Sequence, residues 1–325
     1  MPDNNRLLLI INPVSGTSDK THLAAKIKER LTHDGFIVET AFTCCRGDAT
    51  RLAKQGVDAG FGGILACGGD GTVNETARAL CDTDVALGII PAGSGNGLAR
   101  HLDLPIDPMM SLDVIAERSI VPCDYATVNG QCFFCTFGVG FDAAVSHRFA
   151  KLPKRGMMSY VQSAFSEFVH FNPQTYTVSA NGVTLTEKAF LVAVCNASQY
   201  GNNAYIAPEA SITDGLLDIT VVHSGNPLSA AVLGFDLMTG YINRNTLIQT
   251  FRAPAAVIYR EHGGEAHLDG EPVILPEILD FRCHHRALKI FTTSSKSRFR
   301  PVITPVRSMM SDWKIACRRM FGKKD

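Results

Sequence analysis

The chain has 325 residues, 46% of them apolar and 19% charged, which is enough to bury a sizeable core and argues against general disorder. Its formal net charge of +0 gives no global pull toward nucleic acid, so no nucleic-acid partner is expected. The five-residue apolar run after MPDNNR is too short for a signal peptide. No run approaches the roughly 18–20 apolar residues of a membrane span, so ten cysteines read as reduced thiols of a cytoplasmic protein.

The first third alternates strand and helix. Leu7–Ile11 is continuously apolar, as a strand buried on both faces requires. A helix is predicted over Asp19–His33, where Leu23, Ile27 and Leu31 share one stripe. Phe36–Phe42 reads as a strand, Asp48–Gln55 as a short helix, Gly63–Cys67 as a strand, Thr72–Cys81 as a helix and Val85–Ile90 as a strand. Strands at this spacing with helices between them imply right-handed crossovers and a parallel sheet.

From about Cys123 the texture changes. Short apolar runs follow at Tyr125–Val128, Cys132–Val139, Thr175–Ala180, Phe190–Asn196, Leu217–Val222, Ala255–Ile258 and Leu288–Phe291. Most are bounded by Asn, Gly, Asp or Pro, which predicts an antiparallel sandwich or barrel. Helices are expected at Met157–Phe168 and Leu228–Met238, and Asn181-Gly182 is a hairpin-turn signal. Cys132 and Cys135 form a CxxC inside a strand-like run, where residues three apart face opposite sides and cannot easily share an ion. Cys283-His284-His285 has no spaced partner pair, so a structural reading is preferred there too.

In open parallel sheets, ligands bind at the carboxyl ends of the strands. Three polar, glycine-rich segments fall at such ends: Asn12-Pro13-Val14-Ser15-Gly16, Gly68-Gly69-Asp70-Gly71-Thr72 and Pro91-Ala92-Gly93-Ser94-Gly95-Asn96-Gly97. Glycines let the backbone approach a ligand, and amides opening the next helix favour phosphate. Together the three point to a nucleotide site. No GxxxxGK[ST] is present, and Gly138-Val139-Gly140-Phe141-Asp142-Ala143 lacks the crossover context of a dinucleotide fingerprint.

The set NPVSG, GGDGT and PAGSGN, continued by Asp214-Gly215-Leu216-Leu217-Asp218 and Leu268-Asp269-Gly270-Glu271, resembles the catalytic domain shared by diacylglycerol kinases, sphingosine kinases and related bacterial lipid kinases. The resemblance implies ATP and Mg²⁺ as cofactors. It places Asn12, Ser15, Thr40, Gly68, Gly69, Gly71, Thr72, Ser94 and Asn96 on the nucleotide. Asp70 is implied in the Mg²⁺ network or as base, and Glu271, with Asp269 beside it, as proton acceptor. Asp214 with the carbonyls of Ser211 and Leu216 is implied as a structural Mg²⁺ loop. Where many bacterial diacylglycerol kinases carry an acid after the Asn of the third loop, this chain has Gly97, closer to sphingosine kinases. Asp142 matches an acid that would meet the ammonium of a sphingoid base; an N-cap is the plainer reading of the same residue.

The expected organisation is an α/β nucleotide-binding domain with a parallel sheet over residues 1–122 and a β-rich, sandwich- or barrel-like lipid domain over 123–290. A return segment follows at 291–307 and a basic tail at 308–325. ATP is expected in the cleft between domains, with γ-phosphoryl transfer to the hydroxyl of a sphingoid base or diacylglycerol. The tail places Met309, Met310, Trp313, Ala316, Cys317, Met320 and Phe321 on one helical face among basic residues, a pattern that suits a membrane interface or the protein's own surface. The partners expected are a lipid substrate and, peripherally, the inner membrane face; a homodimer is compatible with the sequence. An NAD kinase and a non-catalytic nucleotide- or lipid-binding regulator are the alternatives, disfavoured by the GSGN and LDGE blocks and by the three acids Asp70, Asp269 and Glu271.

Overall fold

The computed structural model describes residues 3–14, 20–150, 171–223, 225, 227–242 and 245–292. They divide into two compact units, one of residues 3–123 with 286–292 and one of residues 124–285. Ser15, the helix expected at Met157–Phe168, the return segment beyond residue 292 and the basic tail lie outside the described residues.

The first unit runs β1 (Asp3–Ile11), α1 (Lys20–His33), β2 (Ile37–Phe42), α2 (Asp48–Asp58), β3 (Phe61–Gly68), α3 (Asp70–Leu80), β4 (Ala86–Pro91) and the short α4 (Gly97–His101) and α5 (Ser111–Ala116). The strands lie parallel in the order β4-β3-β1-β2. The chain steps outward from β1 to β2 and then returns past β1 to β3, so its direction reverses between β1 and β3. That reversal opens a crevice at the carboxyl edge, where such sheets take ligands.

Alternation along the strands explains the two helical layers. Leu7, Leu9, Ile11, Leu65, Cys67, Ala86 and Ile90 form one core with Ala24, Ile27 and Leu31 of α1 and with Leu112 and Ile115 of α5. On the opposite face Gly56 of α2 sits against Leu8 and Ile64, so close that a β-carbon there would come within 2.8 Å of Leu8. The unit is completed from far along the chain, with Ile290 pairing parallel to Leu87 and Phe291 entering the core.

The second unit contains β5 (Ile120–Val128, shared with the first unit through its opening residues), β6 (Gln131–Phe133), β7 (Thr136–Gly140), α6 (Phe141–Ala150), β8 (Gln174–Ala180) and β9 (Val183–Cys195). It continues with β10 (Leu217–His223), α7 (Pro227–Thr239), β11 (Ile248–Ala253), β12 (Ala255–Arg260), β13 (Gly264–Leu268), β14 (Glu271–Leu275) and β15 (Ile278–Phe291), whose last residues belong to the first unit. The pairings are antiparallel, β14-β13-β7-β9-β8-β12-β15, with β10 joining β9 to β11. A core of Val128, Phe133, Phe137, Val139, Tyr176, Val192, Val194, Ile219, Ile258, Leu268 and Phe281 fills it. The expected hairpin is present: Asn181 and Gly182 have φ of 50° and 76°, and Ala180 pairs with Val183. Both central residues are left-handed, as a type I′ turn demands.

One expected strand is broken. The run Cys132–Val139 divides at Phe134-Cys135, because the Asp269 carboxylate takes the backbone N–H groups of Phe134, Cys135 and Thr136 at 2.9, 2.7 and 2.8 Å. Those amides therefore serve a side chain instead of a strand ladder.

Candidate functional site

In the first unit the three glycine turns leave adjacent parallel strands, β1, β3 and β4, at their shared carboxyl edge. Side chains and backbone tie them together. Asn12 donates from Nδ2 to Thr72 Oγ1 at 3.3 Å and from its backbone to Cys67 O at 3.1 Å. Ala92 N–H donates to Gly68 O at 2.8 Å. Asp70, opening α3, accepts Asn96 N–H on Oδ2 at 2.9 Å and Gly97 N–H on Oδ1 at 2.6 Å. A carboxylate accepting two backbone amides is a strong tether, and here it joins the second turn to the third.

Glycine is required where these turns meet. A β-carbon on Gly93 would lie 2.4 Å from Gly69 Cα, and one on Gly68 would lie 2.4 Å from Thr72 Oγ1. Gly69 enters α3 in extended conformation with no side chain capping the helix. The first-turn amides of α3 thus open at the sheet edge, where a helix dipole favours an anion. Asn96 is buried with φ of 52°; its side chain braces the turn by accepting Gly93 N–H at 3.2 Å and donating to Gly93 O at 3.0 Å. Ser94 is exposed at the crown of that turn, Gly71 is half-buried, and Thr40 is half-buried near the carboxyl end of β2.

In the second unit, Asp269 and Gly270 are the two left-handed residues (φ 51° and 79°) of the β13–β14 turn, across which Leu268 pairs with Glu271. Asp269 is committed to the three amides of residues 134–136. Glu271 is half-buried at the start of β14. Asp142, in the first turn of α6, is only 4% exposed. Its Oδ2 accepts Tyr200 O–H at 3.0 Å and lies 3.2 Å from His267 Nε2, while Oδ1 accepts Ala143 N–H at 2.8 Å.

The 211–218 loop is held differently from the metal-ligand set implied by the resemblance. Asp214 Oδ1 accepts Leu216 N–H at 3.0 Å, and Oδ2 takes the Arg252 guanidinium, which also reaches Asp218 at 3.2 Å. Burial pushes the Asp218 carboxyl up to about 6, against the pull of Arg252. Ser211 Oγ pairs with Thr213 Oγ1 at 3.2 Å. The Asp214 carboxylate is thus engaged by a guanidinium, and among the described residues no group of three or more His, Cys, Asp or Glu could hold a metal through side chains alone.

Sequence reasoning missed several residues. Asp124 is buried, with its oxygens on His285 Nδ1 at 2.9 Å and Gly215 N–H at 2.7 Å. Its only sequence signal was an acid inside an apolar run, which calls for a partner. Glu75 accepts the N–H groups of Gly47 and Ala49 at 2.8 and 3.1 Å, fixing the start of α2. In the Cys283-His284-His285 run, burial pushes the Cys283 thiol up to about 12, His284 stacks on Tyr125 at 4.4 Å, and His285 serves Asp124.

Residues 6–128 match the diacylglycerol kinase catalytic domain, and residues 135–292 match the YegS C-terminal NAD kinase beta sandwich-like domain. The chain is 31% identical over 249 residues, covering 75% of it and 80% of the relative, to a Chromohalobacter salexigens protein named "Probable lipid kinase YegS-like". It is 28% identical over 273 residues, covering 82% of it and 89% of the relative, to the diacylglycerol kinase of Bacillus subtilis. A crystal structure titled as a diacylglycerol kinase from Bacillus anthracis str. Sterne superposes with a TM-score of 0.70 at 22% identity, covering 90% of this chain and 98% of that one, and so shares the fold. The chain therefore belongs to the family of diacylglycerol kinases and YegS-like lipid kinases.

Proposed function

We propose that the protein transfers the γ-phosphoryl group of ATP to the hydroxyl of diacylglycerol. The observation that carries this reading is the gathering of three glycine turns at the switch point of the parallel sheet, with Asp70 bonded across two of them. Phosphoryl transfer needs positioning and charge neutralisation more than covalent chemistry. The amides opening α3 at Asp70, Gly71 and Thr72 would meet the phosphates, with Asn12 bracing Thr72 from below and Ser94 on the far side. Mg²⁺, when bound with the nucleotide, supplies positive charge for the phosphate oxygens. Asp70 keeps lone pairs beyond the two it shares with Asn96 and Gly97, and these suit the water shell of that ion.

Glu271 is the proton acceptor in this reading. Asp70 is held on both oxygens by backbone amides, and Asp269 by three, so each has a structural task that a proton would disturb. Glu271 follows Asp269 and Gly270 on a two-residue turn, a rigid place for a general base. Asp142 bears on the acceptor. Its carboxylate is buried against Tyr200 and His267, which leaves poor access for a sphingoid ammonium and favours the uncharged diacylglycerol.

Incubation with labelled ATP, Mg²⁺ and, separately, dioctanoylglycerol, sphinganine and NAD tests the reading. Label is expected in the dioctanoylglycerol product, and Glu271→Gln is expected to lower its rate by at least about 100-fold. Label in sphinganine alone would reassign the acceptor, label in NAD alone would replace the reading with NAD kinase, and no transfer to any of the three would contradict it.

A further inference from the structure

One ring spans the start of α6 and the turn before Glu271. His267 is 1% exposed at the penultimate position of β13. Its Nδ1 accepts Gly270 N–H at 3.3 Å, so Nδ1 carries no proton. The proton of the neutral ring therefore sits on Nε2, which donates to Asp142 Oδ2 at 3.2 Å. Tyr200 donates to the same Asp142 oxygen and meets the imidazole edge-on, with centroids 5.9 Å apart. Space for the pair is cut out of β7. A β-carbon on Gly138 would lie 2.0 Å from Asp142 Oδ2 and 2.5 Å from His267 Nε2. Burying a carboxylate beside an imidazole is costly unless both are fully hydrogen-bonded. A core serving only stability would fill this volume with apolar side chains.

We propose that His267 is a positioning residue for the phosphoryl-transfer reaction, anchored by Asp142 and holding the Gly270 amide so that the Glu271 carboxylate is set in place. This inference rests on Glu271 being the proton acceptor. The turn is gripped on both sides, by Asp269 on the amides of residues 134–136 and by Gly270 on His267. The carboxylate one residue later inherits that fixed geometry, and a shift of about 1 Å in such a group can cost about 100-fold in rate. It also gives the glycines of GVGFDA a purpose other than a dinucleotide, since Gly138 admits the pair and Gly140, at φ +88°, turns the chain into α6.

Two substitutions divide the ring's two bonds. His267→Gln places an amide N–H where Nε2 was and keeps the Asp142 bond while losing the acceptor for Gly270. His267→Asn places an oxygen near Nδ1 and keeps the Gly270 bond while leaving Asp142 short of a donor. Kinetics with ATP and dioctanoylglycerol and urea unfolding are measured on both full-length variants. The inference expects opposite orders: the Gln variant loses 10- to 100-fold in kcat with KM for ATP within twofold, whereas the Asn variant loses less kcat but is the less stable protein. If activity simply follows stability across the two, His267 is structural only and the inference is overturned. Adding His267→Gln to Glu271→Gln should cost no further rate; an additive loss would show that His267 does not act through Glu271. Full turnover by Glu271→Gln alone would instead refute the base assignment. Side-chain ¹⁵N NMR gives a readout free of activity: the Nε2–H tautomer is expected for His267, and the Nδ1–H tautomer would overturn the arrangement.

Discussion

Asp269 organises more backbone than any other acid described above. Its carboxylate accepts three consecutive amides while its own backbone, at φ 51°, forms half of the β13–β14 turn. Bonds to a charged acceptor contribute about 1.5–3 kcal/mol each, and a buried amide left unpaired carries a further cost. Asp269→Asn can offer only one acceptor oxygen and presents an NH₂ to at least one N–H. Urea unfolding is expected to show a loss of about 3 kcal/mol; a change below about 0.5 kcal/mol would mean that the carboxylate does not organise residues 134–136. The LDGE motif announced that an acid mattered here, but nothing in the sequence tied residue 269 to residues 134–136. The same holds for Asp142 and His267, 125 positions apart. Acids in motifs are legible, whereas their partners become visible only through the fold.

At the scale of elements, the loop from Ser211 to Asp218 and strand β11 form one unit through Arg252. Residues Asp218 and Arg252 are direct cross-strand partners, and the guanidinium reaches back to Asp214. Because Arg252 is 41% exposed, the pair is screened, and Arg252→Met is expected to cost about 1–2 kcal/mol. A cation already in the loop also predicts that EDTA leaves the thermal midpoint of the wild type unchanged, even where chelation of Mg²⁺ stops turnover. A fall of several degrees with EDTA would return a divalent ion to Asp214. Strand β11 was not read from the sequence, nor were β13 and β14. The residues of β11 and β14 are largely half-buried or exposed, and β13 is only five residues long with a buried histidine among its apolar positions, so the apolar alternation is faint. The buried strands β1, β3 and β4 were legible as continuous apolar runs, and the antiparallel run of the second unit was legible from its turns, Asn181-Gly182 above all. For the same reason β15 was read only at Leu288–Phe291, although it begins at Ile278 with alternating exposed residues.

Taken as a whole, the molecule pairs a parallel, helix-covered sheet with an antiparallel β-rich unit, the fold class expected from the alternation of elements before Cys123 and the short runs after it. The shared edge of the three turns was legible because polar, glycine-rich segments recur after three apolar runs, at residues 12–16, 68–72 and 91–97. The substrate end was less so, since its acids are held by partners scattered from Phe134 to His285. The central claim is that ATP binds where the turns after β1, β3 and β4 converge. Hydrogen exchange followed by mass spectrometry, with and without saturating ATP and Mg²⁺, tests it most directly. Protection is expected in peptides covering residues 68–72 and 93–97. Protection confined to residues 124–285, or none at saturating nucleotide, would contradict the account.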